Sequence, residues 1–267
     1  MTINQLITIP QPFEKYRALI EQTIQPVVTI QTTVKQTSLF ESKFAGDPYF
    51  PLTMEYPKNA VGQPLKLLAQ INFADIPKHL PHFPVEGILQ FFIDGYDDVL
   101  GLDFDNAQNQ DGFCIIYHEQ IEKDTTQLMH DFAFVTATDD ELYFPVEKEM
   151  ALSFESKFEP LSIEDFRNSE TYKEIWKDVD HNPDLENQFF TSFSGTGHKL
   201  GGFAFFTQED PRSYVENLQS HKILLLQVDS EMSDIIWGDC GVGNFFITEE
   251  QLKQKDFSKV LYNWDCS

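Results

Sequence analysis

Hydrophobic and polar positions alternate along most of this chain with a period of two. VVTIQTTVKQ at 27–36 is β-branched, with Val28, Ile30, Thr32 and Val34 on one side, which predicts a strand. Residues 65–73, 87–93, 112–118, 150–158, 221–229, 241–247 and 259–264 read the same way. In 150–158, Met150, Leu152, Phe154 and Phe158 alternate with Ser153, Glu155 and Lys157, so one face is wet. The period shifts to helical spacing in two places. Phe13, Tyr16, Leu19, Ile20 and Ile24 predict a helix over 13–23, with Pro10 and Pro12 before it and Pro26 stopping it. Phe166, Tyr172, Ile175, Trp176 and Val179 predict a helix over 162–179, opened by a Ser162/Asp165 capping box and ended by HNPD at 181–184. Asp210 before Pro211 reads as an N-cap opening a short helix through about Gln219, and Thr248 with Gln251 as a capping box for a helix at 249–255.

Three blocks recur in order. KFAGDPYF (43–50) resembles KLGGFAFF (199–206), LKLLAQIN (65–72) resembles KILLLQVD (222–229), and GILQFFID (87–94) resembles GVGNFFIT (241–248). Lys43 and Lys199, Gln70 and Gln227, and Phe91 and Phe245 lie 156, 157 and 154 residues apart. That interval is too long for a solenoid repeat of roughly 20–50 residues. The pattern predicts an α+β, β-rich single domain over 1–267, made by internal duplication of two sheet units at about 40–155 and 190–265. A helical connection at about 160–180 joins them. The LLAQIN and LLLQVD strands are apolar on both faces apart from one Gln, as expected mid-sheet. Leu67, Phe91, Leu224, Leu226 and Phe245 are therefore expected in the core. A buried Gln amide needs partners, since leaving it unpaired costs about 1–3 kcal/mol. Backbone groups of the Gly-containing loop in the same unit are the simplest partners for Gln70 and Gln227. The other reading turns both toward a ligand cleft.

GHKLGG (197–202), QVD (227–229), WGDCG (237–241) and the later FFI, with AQIN and GILQFFID upstream, resemble the YwqG-like family of uncharacterised bacterial proteins. The resemblance spans roughly 40–265. It implies a duplicated β-rich α+β fold and a bacterial cytoplasmic setting, and it carries no catalytic residues. One departure is Phe203 after Gly202, where the family pattern has Pro soon after the second Gly.

Composition narrows the function. The chain has 267 residues, 43 Asp and Glu against 19 Lys and Arg, and a formal net charge of −24. Such a chain is repelled by phosphate backbones and anionic lipids, and no Lys/Arg cluster supplies the footprint that nucleic-acid binding needs. Cysteines 114, 240 and 266 are an odd number without CxxC spacing, which fits a reducing compartment and no zinc ribbon. The first residues lack the pattern of a signal peptide, and no apolar run approaches the roughly 18 residues of a membrane span. There is no GxSxG, P-loop or GxGxxG. His79 and His82 make an HxxH broken by Pro81, and 103–112 is oxygen-rich but has Gln108 and Cys114 where a calcium loop needs Gly and Glu. That loop reads as a solvated hairpin turn. No cofactor and no metal are expected.

Two function classes remain. One is a non-enzymatic interaction module that binds a basic protein partner, suggested by the charge and the aromatic content of 25 Phe. The other is an enzyme or small-ligand binder with a site between the repeats, drawn from His198, Asp210, Gln227, Asp229, Trp237 and Asp239. In the second reading His198 and Asp239 come first, because His titrates near neutrality and a carboxylate can orient it.

Overall fold

The computed structural model describes residues 7–77, 80–136, 143–231 and 234–267. His79 lies outside the described residues. Among the described residues there are ten strands: β1 (Gln25–Val34), β2 (Lys43–Phe44), β3 (Lys66–Asn72), β4 (Ile88–Ile93), β5 (Phe113–His118), β6 (Met150–Glu159), β7 (Lys199–Gly201), β8 (Ile223–Asp229), β9 (Val242–Ile247) and β10 (Leu261–Asp265). They form one antiparallel sheet in the order β10-β9-β8-β7-β1-β6-β2-β3-β4-β5. The fold is thus a strand-rich antiparallel half-barrel with few helices.

The long β1/β6 pair forms the floor. Register sets Val28, Ile30, Thr32 and Val34 beside Ser156, Phe154, Leu152 and Met150 on the inner face. The other face carries Gln31, Thr33, Ser153, Glu155 and Lys157, and is wet. On either side stand four-strand wings, β2–β5 and β7–β10. Their middle strands β4 and β9 are buried along their whole length, which explains why their sequences are nearly continuous apolar runs. The inner faces of the wings meet in one core: Phe91 packs on Phe245 (5.0 Å between centroids), and Phe113 on Tyr262 (5.2 Å). Leu67, Phe91, Leu224, Leu226 and Phe245 are all buried. Both wings carry the same register shift, at Leu67/Ala69 against β4 and at Leu224/Leu226 against β9.

The two sheet edges are joined by the segment 94–112. The Tyr262 N–H donates to the Ala107 carbonyl, the Trp264 indole to Val99 O (2.6 Å) and the Tyr262 hydroxyl to Leu100 O. Gly101 and Gly112 pass so close that a Cβ on Gly101 would meet the Gly112 carbonyl at 1.9 Å.

The helices depart from the sequence reading in instructive ways. A 3-10 turn, Gln11–Tyr16, runs into α1 (Arg17–Glu21), and Pro26 falls inside β1 near its start, a position a strand tolerates. A short α2 (Ala133–Thr136) follows the first wing. The single helix expected over 162–179 is two short ones, α3 (Asn168–Thr171) and α4 (Lys173–Val179). The expected capping box does not form, because the Asp165 carboxylate is taken by the Arg167 and Arg212 guanidiniums. HNPD ends α4 but also starts α5 (Pro183–Phe193), with the Asn182 side chain accepting from the Leu185 N–H. The Thr248/Gln251 capping box opens α6 (Glu249–Gln254) as read. The Gln11–Tyr16 turn, α1, α4 and α5 pack together through Phe13, Ile20, Ile175, Phe189 and Phe193, in one cluster with Phe203. Among the described residues no helix is long and apolar enough to cross a membrane.

Candidate functional site

The register aligns a polar row across each wing. Lys199 opposes Gln227, which opposes Asn244. Lys43 opposes Gln70, which opposes Gln90. Each Gln is fully occupied by loop backbone. Gln227 Oε1 accepts from Phe205 N, and Nε2 donates to Gly195 O and Gly197 O. Gln70 Oε1 accepts from Tyr49 N, and Nε2 donates to Leu39 O and Glu41 O. Asn244 donates to Phe205 O and Gln90 to Tyr49 O. The loops are therefore clamped onto the outer face of the sheet by these buried amides; both Gln side chains are paired, as burial requires, while Asn244 bonds through its Nδ2 alone.

His198 sits on the opposite, inner face, packed edge-on against Phe44 (5.2 Å) and 4% exposed. Its Nδ1 accepts the Asp229 N–H at 2.9 Å. That fixes the ring proton on Nε2, which lies 2.9 Å from Glu231 Oε1. Glu231 Oε2 in turn accepts from the Thr32 hydroxyl of the floor. Burial lowers the His198 pKa, against the pull of Glu231 and Asp229. Ser42 occupies the matching place in the other wing: it accepts from Asn72 N and donates to Asp75. A neutral His with one nitrogen on backbone and the other facing a carboxylate has no lone pair left to abstract a proton, so its chemistry here is to hold Glu231 and the β7–β8 corner.

The other sequence candidates are dispersed. The Asp229 carboxylate accepts from Gly197 N and Ser230 N. Asp210 is buried: it caps the 3-10 turn Pro211–Ser213, forms a bidentate pair with Arg212 and accepts from Phe166 N. Arg212 is stacked between Phe166 and Phe246. This cluster ties the α3 approach to the second wing. Trp237 is buried beside Trp264, and its ring lies over Gly243, where a Cβ would stand 2.3 Å from it. Asp239 is exposed on the following turn. The carboxylate that faces His198 is Glu231, where the sequence pointed to Asp239. All three cysteines are free thiols, and burial raises that of Cys114 to about 11.

A cleft lies elsewhere, along the seam segment 94–112. It has a volume of about 570 Å³ and is lined by Asp94, Asp97, Asp103, Asp105 and Asp111. Val61 and Phe104 stand on it, each 80% exposed. The Asn59 amide donates to Asp94 at 2.7 Å, anchoring one wall. Burial and the neighbouring Asp94 raise the Asp97 pKa, while the Asn109 side chain and two backbone N–H groups hold Asp103 below the usual range. Sequence reading treated 103–112 as a solvated turn. The density of Asp around an apolar Phe104 was its visible signal; the pairing of this loop with β10 was not visible.

Residues 42–266 match the family described as Domain of unknown function (DUF1963). The chain belongs to that family. No curated protein matches it. The DUF1963 region takes in both wings, β6, the His198 corner and the acidic cleft, while β1, at the centre of the sheet, precedes it. Within the described residues of the DUF1963 region, no three His, Cys, Asp or Glu side chains are placed to hold a metal ion.

Proposed function

We propose that the chain is a protein-interaction module whose acidic cleft receives a basic segment of a partner protein. The observation that carries this reading is the cleft itself: five carboxylates on one wall system with an exposed aromatic, Phe104, at its edge. Clustered charge of one sign steers an oppositely charged partner and sets its register, and an aromatic that becomes buried on docking supplies affinity. The net charge of −24 adds a long-range field of the same sign. The test is calorimetric titration of the full chain with a synthetic Lys/Arg-rich peptide. Binding should weaken steeply with salt and fall by about tenfold or more in Phe104→Ala and in Asp103→Asn/Asp105→Asn. Binding that ignores salt and both variants removes the cleft from the reading.

The alternative, an enzyme or small-ligand site between the wings built from His198, Asp210, Gln227, Asp229, Trp237 and Asp239, has less support. Gln227, Asp229 and Asp210 are engaged by backbone or Arg212.

The architecture we read as one domain made by internal duplication, YwqG-like and bacterial cytoplasmic in setting. Support comes from paired bonds: Gln70 and Gln227, Gln90 and Asn244, and Asn72 and Asp229 bond groups at equivalent places in the two wings. Superposition of the wings in a crystal structure, strand for strand, tests it.

A further inference from the structure

A second cavity, of about 260 Å³, opens where β3 begins, between the 45–48 turn and the stretches 132–135 and 144–149. Its walls are mostly apolar: Tyr56, Phe132, Phe144 and Val146 line it. Four charged groups also line it: Lys66 and the carboxylates Asp47, Glu147 and Glu149; the Glu149 carboxylate already accepts from the Thr37 N–H and hydroxyl. Among the described residues, neither the Lys66 ammonium nor the Asp47 carboxylate has a hydrogen bond or an ion pair. Lys66 rests over the Phe144 ring, 5.3 Å from its centroid. Asp47 feels the Lys43 charge, but Lys43 spends its protons on the Ser38 and Asp47 carbonyls. In a chain with so many carboxylates, a half-buried Lys that pairs with none of them is conspicuous. Lys66 and Asp47 share the cavity and do not meet across it.

From this juxtaposition we infer that the cavity binds a free α-amino acid with an apolar side chain, its carboxylate on Lys66, its ammonium on Asp47 and its side chain among the aromatic walls. The volume lies below the roughly 300–1,000 Å³ of drug-sized sites, which suits a small metabolite. A simple organic anion fits less well, because Glu147 and Glu149 also line the cavity. A simple cation meets Lys66. A zwitterion answers both charges at once, and an apolar body matches the walls. Burial shifts Lys66 down and Asp47 up, each toward its neutral form, as expected of charges whose counter-ion is supplied from outside.

The experiment is calorimetric titration of the full chain with L-phenylalanine, L-leucine and L-methionine, alongside phenylacetate and phenethylamine, each lacking one charge. At least one amino acid should bind saturably at one per chain, and both single-charge analogues should bind about tenfold more weakly or worse. Lys66→Gln and Asp47→Asn should each cost about tenfold or more in affinity with the thermal midpoint retained. Asp47 is exposed, so its variant folds even if Lys66→Gln does not. No saturable binding of any of the three amino acids, equal binding of phenylacetate, or full affinity in Asp47→Asn overturns the inference. Because the acidic cleft shares no lining residue with this cavity, the peptide titration and this one fail independently.

Discussion

Gln70 and Gln227, in opposite wings of one sheet, hold their loops alike: each accepts one backbone N–H and donates to two loop carbonyls, and Gln70 Oε1 also accepts from Gln90 Nε2. Gln70→Leu and Gln227→Leu should each destabilise the chain by about 1–3 kcal/mol, because the loop groups they serve would be left buried and unpaired. Urea unfolding checks this. Losses in this range in both variants are the expected result; a loss below about 0.5 kcal/mol for either means that water replaces that amide.

The contact between Phe91 and Phe245 joins the wings. Phe91→Ala should cost about 3–5 kcal/mol, the range for a fully buried Phe. A cost under about 1 kcal/mol would mean that the cavity collapses and that the wings are not held by this contact.

At Gly243 the neighbour is the Trp237 ring, 2.3 Å from where a Cβ would stand. Gly243→Ala should destabilise by about 1–3 kcal/mol through overpacking, and should shift the tryptophan emission to longer wavelength as Trp237 is displaced toward solvent. Unchanged emission and stability would show that the Trp237 and Trp264 pair moves aside freely.

His118 sets an acid limit. It is buried against Tyr49, with Nε2 donating to Gln90 Oε1 at 2.8 Å, and burial lowers its pKa to about 4. Between that value and the ordinary 6.5 the unfolded chain binds the extra proton, so stability rises with pH through this window. The contribution is complete above 6.5 and is lost as pH falls toward 4. The full effect is about 3 kcal/mol. Urea midpoints for the native chain and for His118→Gln, measured across the window, isolate it: the two pH profiles should converge on acidification. Parallel profiles would mean that His118 titrates normally.

Much of the sheet was legible because its strands declare themselves locally. Val28, Ile30 and Val34 alternate with polar residues, and the β4 and β9 runs are too apolar and too short for anything but a buried strand. Elements fixed by distant partners were not legible. The two residues of β2 and three of β7 are strands only because β6 and β1 lie beside them. Asn182–Pro183 has the same local signature whether it closes one helix or opens the next, and here it does both. For the sites, Gln227 and Asp229 were found together because they share a strand. Glu231 was overlooked because nothing near it in sequence marks it; only the β7–β8 corner brings His198 to it. Lys66 and Asp47 were passed over for a similar reason, since isolated charges become notable only once the fold leaves them unpaired.

The position of β1 bears on how the chain is made. Val28 pairs with Ser156 on one side and Leu200 on the other. Of the described strands β1 comes earliest in the chain, yet it is among the last to be completed: the β3–β4–β5 meander can close locally while β1 still waits with both edges bare. A β-branched strand in that condition is a template for pairing with other chains. Its wet residues, Gln31 and Thr33, and the charges of β6 that later join them, keep one face soluble through the delay. Closure over such sequence separation is slow, so the rate at which this protein reaches its native state is set at the centre of its sheet and not at its edges.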